Sequence, residues 1–222
     1  MSRCIPQLAV LAFVSGCALL AAELKIHSLD DMPGSTEWKN APVTSNMDDG
    51  RLSIVAGPST DWYISPMDGK SSSNAPLLLF RPEPDFVLTA KMNVEFQAQW
   101  DAGMLMVYAN DTTWAKFALE MSVWGEPTIV SVVTRGVSDD CNSSPVAGSS
   151  IWFRVGKIGP AFAFYASPDG ISWKLIRAFT LGFAPDVRVG FGSQSPVGQH
   201  ATATFSEIRY SPRRIRDIFK AE

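Results

Sequence analysis

The chain has 222 residues, of which 46% are hydrophobic and 18% are charged, and its formal net charge is −3. This composition supplies enough apolar side chains for a packed core and too little charge for a disordered chain. A net negative charge gives no electrostatic support to nucleic-acid binding, so we expect no nucleic-acid partner.

Residues 1–22 are predicted to be an export signal. Arg3 supplies the positive start, and the apolar run that follows is too short to span a bilayer. The segment 14–17 (VSGC) resembles a bacterial lipobox, in which Cys17 is lipidated and becomes the first mature residue, while plain cleavage after Ala22 is the alternative. We therefore expect an exported protein, located in the cell envelope or periplasm or secreted, that meets a membrane only through a possible lipid anchor.

The cysteine content favours a fold without disulfides. Cys141 is the one cysteine left when Cys4 and Cys17 are assigned to the signal, and one thiol cannot form an internal disulfide. There is no CxxC pair, which excludes zinc-ribbon sites. Asp139 and Asp140 lie in a Ser/Asn-rich segment that offers too few oxygen ligands for calcium. We expect neither a metal nor a cofactor.

The chain divides into four parts. The export signal is followed by a tether or edge strand over 23–32, a main domain over 33–210 and a basic tail over 211–222 that looks helical. Alternating or β-branched segments predict strands at 52–56, 77–80, 86–96, 104–108, 115–121, 128–135, 151–155, 161–166, 173–179, 187–191 and 202–210. Residues 136–150 are predicted to be a polar loop. Many short strands separated by turns predict an all-β sandwich or barrel.

The segment 86–120 carries the strongest pattern. Its first part alternates without a fault between apolar and polar residues, so one face of a strand is buried and the other, with Glu95, is polar. A strand that is apolar on both faces follows, and then a third strand. We expect these to form a three-stranded antiparallel meander with a buried central strand. The same period of two places Glu120 on one face with Trp114 and Lys116.

Several short motifs recur in a characteristic order along the chain. They are TDW at 60–62, QAQWDAG at 97–103, WAKFALE at 114–120, VVTR at 132–135, SDD at 138–140, SPDG at 167–170 with Trp173, and QSPVG at 194–198. Together they resemble the uncharacterised domain family often labelled "regulation of enolase protein", over about residues 38–210. The resemblance implies the concanavalin A-like lectin/glucanase fold: an all-β, two-sheet antiparallel jelly-roll sandwich whose curved sheet holds carbohydrate in related folds. It implies no activity.

A carbohydrate site needs aromatic platforms beside planar hydrogen-bonding groups. The candidates for ligand binding are Trp62, Gln97, Trp100, Asp101, Trp114, Lys116 and Glu120. Each has a structural alternative. The tryptophans could pack in the core or its rim, Lys116 and Glu120 could form a solvated cross-strand pair, and Asp101 could cap a turn.

Glycoside hydrolysis needs two carboxyl groups facing one sugar. The candidate residues are Glu120 with Asp101 or Glu95, but the Glu-x-Asp-x-Glu alternation of many jelly-roll glucanases is absent. Lys116 beside Glu120 predicts an ion pair that keeps the carboxylate charged, which makes it a poor general acid. The chain's two histidines, His27 and His200, come without a GxSxG motif, so a histidine triad is not expected.

The sequence therefore predicts an exported jelly-roll domain that binds carbohydrate or another polar ligand, without demonstrated catalysis. Two alternatives stay open. One is a glycoside hydrolase that uses paired carboxylates, and the other is a cell-surface structural or interaction protein without a small ligand.

Overall fold

The structure is a computed structural model that describes residues 23–182, 184 and 186–222. The predicted export signal, with its lipobox and Cys17, lies outside the described residues. Within the part of the chain that is described, no helix is long and apolar enough to cross a membrane.

The strands form two large antiparallel sheets and one small hairpin. The first sheet has the order β15 (Lys174–Thr180), β14 (Ala161–Ser167), β13 (Ser150–Ile158), β8 (Phe86–Glu95), β17 (Ala201–Ser211), β4 (Arg51–Ala56) and β3 (Thr44–Asp48), with β1 (Leu24–Lys25) also paired with β17. The second sheet has the order β12 (Ser138–Pro145), β11 (Pro127–Arg135), β10 (Thr113–Met121), β9 (Ala102–Asn110), β16 (Arg188–Gln194), β7 (Leu77–Phe80) and β2 (Thr36–Lys39). The hairpin pairs β5 (Trp62–Ile64) with β6 (Ser71–Ser73), and a short 3-10 turn covers Leu29–Asp31. The predicted two-sheet antiparallel jelly-roll sandwich is confirmed.

The main core lies between the inner faces of the two sheets. Alternating apolar residues of β8 enter it, as their period of two requires. At its centre, Phe117 of β10 stacks on Phe153 of β13 and Phe164 of β14, with ring centroids 3.9 and 4.7 Å apart. Because large aromatic surfaces from both sheets are buried in this cluster, it joins the two layers firmly. The outer face of the second sheet is left available for a site.

The predicted meander of segment 86–120 is wrong. β9 and β10 are neighbours in the second sheet, but β8 lies in the first sheet between β13 and β17. The alternation in β8 specified one buried face and carried no information about which strands pair with its edges. The chain crosses between the sheets over 96–101. Glu95 consequently lies exposed on the outer face of the first sheet.

The predicted polar loop over 136–150 contains a strand. β12 pairs with β11 at the edge of the second sheet, and most of its side chains are exposed. An edge strand has one unpaired side and tolerates polar residues throughout, so its composition resembles that of a loop.

The predicted helix in the tail is also wrong, because the residues after β17 form turns and irregular structure. Ile215 and Ala221 are each only 1% exposed and pack with Val87 against the outer face of the first sheet. Gly156 of β13 leaves room for this contact, since a Cβ at that position would collide with the Ile215 side chain. The tail therefore covers part of the first sheet.

Candidate functional site

Part of the second sheet's outer face is covered by the β5–β6 hairpin. Trp62 is fully buried there, with its ring 5.7 Å from Tyr108 and 5.8 Å from Trp114 in edge-to-face contacts. Its Nε1 donates a hydrogen bond of 2.9 Å to the carbonyl of Ala75. Trp114 is fully buried as well. Both tryptophans are thus packing residues of a second apolar cluster and do not reach a free surface.

Beside the hairpin, the same face carries an open cavity of about 410 Å³. Polar side chains from the sheet and its neighbouring loops lie in it, namely Asp61, Lys116, Glu120, Asp140, Asn142 and Gln194. The remaining lining is mostly apolar or aromatic, and includes Tyr63, Met67, Trp100, Trp124, Pro196 and Val197. The cavity therefore combines a charged, hydrogen-bonding group of residues with an apolar rim.

The register of the second sheet explains how these polar groups meet. Lys116 and Glu120 both project from the outer face of β10, as period-two alternation requires. Ala102 of β9 lies opposite Glu120 and also opposite Gln194, so it links the two across neighbouring strands. On the other side, β11 lies between β10 and β12, and β12 carries Asp140 at the cavity edge. Three strands thus contribute polar groups to one place.

Lys116 is 3% exposed and bridges two parts of the wall. Its Nζ lies 3.0 Å from Oε1 of Gln194 and 3.4 Å from Oδ1 of Asp61. Burial by itself lowers the pKa of Lys116, but the nearby carboxylates, chiefly Asp61 and then Glu120, outweigh it and raise the pKa overall. Lys116 is therefore a protonated cation at neutral pH.

Glu120 is a buried carboxyl whose charge is poorly compensated. Burial raises its pKa to about 7, an effect that Lys116 opposes and that the carboxylates of Asp140 and Asp61 reinforce. The Lys116 ammonium is directed to Gln194 and Asp61 instead of to Glu120. Among the described residues, no side chain or backbone group donates a hydrogen bond to the Glu120 carboxyl. The predicted ion pair that would hold this carboxylate charged is therefore wrong.

Asp140 stands at the cavity mouth with an exposed side chain. The surrounding protein removes part of its water and raises its pKa, while Lys116 opposes this effect. Glu120 and Asp140 therefore line the same cavity, and the charged form of each carboxyl group is disfavoured.

Asp101 shapes the loop beside the cavity and does not line it. It is fully buried, and its Oδ2 accepts hydrogen bonds from the backbone N–H groups of Gln97 (2.7 Å) and Ala98 (2.8 Å). Its Oδ1 accepts a bond of 2.7 Å from the Ser195 hydroxyl. A Cβ at Gly198 would lie 2.6 Å from this hydroxyl, so the close approach requires glycine. The Gln97 side chain is exposed outside the cavity.

This loop presents Trp100 at the rim. Trp100 has a φ of 64°, a left-handed conformation that is uncommon for a bulky residue. Its N–H donates a hydrogen bond of 2.7 Å to the Met121 carbonyl, and its own carbonyl accepts one of 3.0 Å from Nε2 of Gln194. These bonds hold the backbone in place, so that the indole, which is 39% exposed, lies at the rim of the cavity. Trp124, in the turn between β10 and β11, is 71% exposed on the same rim.

The structure brings together three of the seven predicted ligand-binding residues: Trp100, Lys116 and Glu120. Trp62 and Trp114 lie in the core, while Gln97 and Asp101 belong to the loop behind Trp100. Of the two predicted partners for Glu120 in catalysis, Asp101 is enclosed by its own hydrogen bonds and Glu95 lies on the other sheet.

Four of the cavity residues that sequence reasoning missed are Asp61, Trp124, Asp140 and Gln194. Three of them stand in motifs noted above, TDW, SDD and QSPVG, so the order of motifs was the signal for them. Trp124 precedes Gly125 in a tight turn, and an exposed tryptophan in a turn was the signal there. Over residues 23–182, 184 and 186–222, no three His, Cys, Asp or Glu side chains form a group that could hold a metal ion.

Several solved structures have folds similar to that of this chain. A functionally unknown protein from Saccharomyces cerevisiae is 22% identical, with a TM-score of 0.74 over 79% of this chain and 95% of that one. The GH43 protein BlXynB from Bacillus licheniformis is 14% identical, with a TM-score of 0.67 over 86% of this chain but only 39% of that one. An alginate lyase from Alteromonas sp. 272 is 13% identical, with a TM-score of 0.51 over 79% and 93%. At these identities the likeness shows the fold alone.

Sequence comparison identifies the family. No curated protein matches the chain. A family model described as "Protein of unknown function (DUF1349)" matches residues 38–213, which is most of the chain. The chain therefore belongs to the DUF1349 family of proteins of unknown function.

Proposed function

We propose that the protein binds carbohydrate in the cavity on the outer face of the second sheet. One observation carries this proposal: two exposed tryptophans, Trp100 and Trp124, stand on the rim of a cavity whose other wall is polar and largely buried. A sugar ring has an apolar face and a hydroxyl-bearing edge. This cavity offers a matching surface for each.

The two parts of the cavity have separate roles in this proposal. The indoles present flat apolar surfaces at little entropic cost, because a tryptophan side chain has few rotatable bonds. Lys116 donates hydrogen bonds, the amide of Gln194 both donates and accepts, and Glu120 accepts or donates according to its protonation state. The volume of about 410 Å³ is within the usual range for small-molecule sites.

The structural neighbours support a carbohydrate-related ligand. They include GH43 proteins and an alginate lyase. Their identities are 13 to 15%, so this support concerns the type of fold and does not extend to particular residues.

A glycan array with the purified protein tests the proposal, followed by affinity measurements on the best ligand. We expect Trp100→Ala and Trp124→Ala each to weaken binding about five-fold or more, because truncating an aromatic anchor typically costs more than about 1 kcal/mol. Trp38→Ala is the matched control, since Trp38 is 36% exposed on β2 and does not line the cavity. Binding to no glycan, or equal binding by all three variants, would overturn the proposal.

Glycoside hydrolysis is a second candidate, favoured by the Glu120 carboxyl. Its pKa of about 7 lets it both hold and release a proton near neutral pH, as a general acid requires. The partner carboxylate in this alternative is Asp61 or Asp140, which share the cavity with Glu120. Incubation with mixed polysaccharides tests it: release of sugars that Glu120→Gln abolishes supports hydrolysis, and the absence of release removes this candidate.

Two further expectations from the sequence remain proposals. The first is membership of the family labelled "regulation of enolase protein", which implies no activity. Export, with a possible lipid anchor at Cys17, predicts that the expressed protein is found in membranes and that Cys17→Ala releases it. Membrane retention of that variant would count against lipidation.

A further inference from the structure

We infer that the carbohydrate taken by this cavity bears a protonated amino group, and that anionic sugars are excluded from it. This inference rests on the proposed function, because it names the ligand class of the same site. It concerns the charge of the cavity, which the aromatic rim does not determine.

The charges in the cavity do not balance. Its ionisable lining comprises the carboxyl groups of Asp61, Glu120 and Asp140, the ammonium of Lys116 and the phenol of Tyr63. The ammonium lies 3.4 Å from Asp61, and those two charges offset each other. Glu120 and Asp140 are left without a cation of their own in the cavity. Arg177 of β15, which also acts on Asp140, forms its own ion pair with Asp139 at 3.0 Å.

The lack of a compensating cation or hydrogen-bond donor is most marked at Glu120, because its side chain is only 8% exposed and the described residues donate it no hydrogen bond. A buried carboxylate without a partner is unfavourable, and the protein alone satisfies this group only by protonating it. The groups that face it are Lys116 from its own strand, Asp61 from the segment before β5 and Asp140 from β12. Two of these three are negative. A ligand that supplies a cationic hydrogen-bond donor therefore completes the site.

An ammonium group on a sugar ring meets this need. It carries three N–H donors and one positive charge on a compact centre, so it can bond Glu120 and approach Asp140 at the same time. The ring can still stack on Trp100 or Trp124, and a cation near an indole face gains further attraction. A uronate would instead place its carboxylate beside that of Asp140, and beside Glu120 whenever Glu120 is ionised, and this like-charge contact opposes binding.

Calorimetry with three tetrasaccharides tests the inference: oligomers of glucosamine, of N-acetylglucosamine and of galacturonic acid, at pH 6 with a metal chelator present. We expect the glucosamine oligomer to bind about ten-fold tighter than its acetylated counterpart, equivalent to about 1.4 kcal/mol, and the galacturonate oligomer to bind not at all. Because the ammonium favours the charged form of Glu120, its binding should release protons. The release is measured in two buffers of different ionisation enthalpy, and the acetylated oligomer should release none.

Variants locate the effect. Glu120→Gln should remove both the preference for the amine and the proton release, and Asp140→Asn should reduce the preference, whereas Glu95→Gln, an exposed glutamate on the other sheet, should change neither. Equal binding of the amine and acetylated oligomers, or tight binding of the galacturonate, would overturn this inference while the binding proposal stands if Trp100→Ala and Trp124→Ala still weaken binding. If none of the three oligomers binds, the inference is overturned. If the glycan array also finds no ligand, the binding proposal is overturned with it.

Discussion

Lys116 and Glu120 lie four residues apart on the same face of β10, yet the Lys116 ammonium is bonded to Gln194 at 3.0 Å instead of to the Glu120 carboxyl. Lys116 thereby holds the wall of the cavity together through Gln194 and Asp61. Glu120 keeps a raised pKa and remains able to exchange a proton or bind a cation. Adjacency on a strand face is thus a poor guide to which charges pair.

Glu120 is expected to make the protein less stable as pH rises. Its pKa is 4.5 ordinarily and about 7 in the folded protein, so the folded state binds this proton more tightly than the unfolded state does. The resulting stability is fully present below pH 4.5 and is lost as pH rises to about 7 and beyond, in total on the order of 3 kcal/mol. Glu120→Gln should remove this loss, and urea unfolding at pH 4 and pH 8 measures it.

The matched control for that experiment is Glu95→Gln. Glu95 is exposed on β8, and its removal should leave the pH dependence of unfolding close to that of the parent protein. A Glu120→Gln protein with the same loss of stability between pH 4 and pH 8 as the parent would contradict the burial argument.

Lys116→Met should raise the pKa of Glu120 above about 7. Lys116 is the one neighbour named above whose charge lowers that pKa, and methionine fills a similar volume without charge. Carbon-detected NMR titration of the glutamate side chains measures the shift directly. Lys70→Met, at an exposed lysine outside the cavity, is the control. An unchanged Glu120 titration in Lys116→Met would show that the two groups are not coupled.

Asp101→Asn should destabilise the protein by roughly 2 to 3 kcal/mol, because hydrogen bonds to a buried charged group are among the stronger ones. The Asp101 carboxylate accepts bonds from two backbone N–H groups and one hydroxyl, and an amide can accept with only one of its two heavy atoms. Denaturant unfolding is the measurement, with Asp139→Asn as an exposed comparison. A loss no greater than that of Asp139→Asn would mean that Asp101 does not support the loop.

Ile215→Ala should cost roughly 2 to 4 kcal/mol of stability, since Ile215 is 1% exposed against the first sheet and its truncation leaves a cavity. Phe219→Ala in the same tail should cost little, because Phe219 is 77% exposed. Thermal or urea unfolding distinguishes the two. Equal and small effects from both variants would show that the tail does not pack on the sheet in solution.

The layer architecture could be predicted from the sequence because it depends on local patterns. The alternation over 86–96 specifies a half-buried strand whatever its neighbours are, and the frequency of turns specifies an all-β domain. Pairing partners depend on contacts between distant segments, so β8 was assigned to the wrong sheet. The strand β12 was missed because an exposed edge strand needs no apolar residues.

Apart from Trp100, the candidate site could be predicted only where one strand carries it. Lys116 and Glu120 were placed together because a period of two fixes their common face. Asp61, Asp140 and Gln194 come from three other segments, and only the folded sheet brings them to the cavity. Trp62 shows the opposite error. It is predicted to bind ligand because it is an aromatic residue in a motif, but its side chain is buried in the second apolar cluster, and the residues next to it in the sequence do not indicate that burial.

The central claim is that the cavity binds carbohydrate at its tryptophan rim, and NMR of the indole N–H groups tests it most directly. The chain has seven tryptophans. Titration with the best glycan from the array should shift the Trp100 and Trp124 signals, assigned from their alanine variants, and leave those of Trp38 and Trp152 in place. Shifts confined to Trp38 or Trp152, or no indole shift at a glycan concentration that saturates binding, would contradict the account.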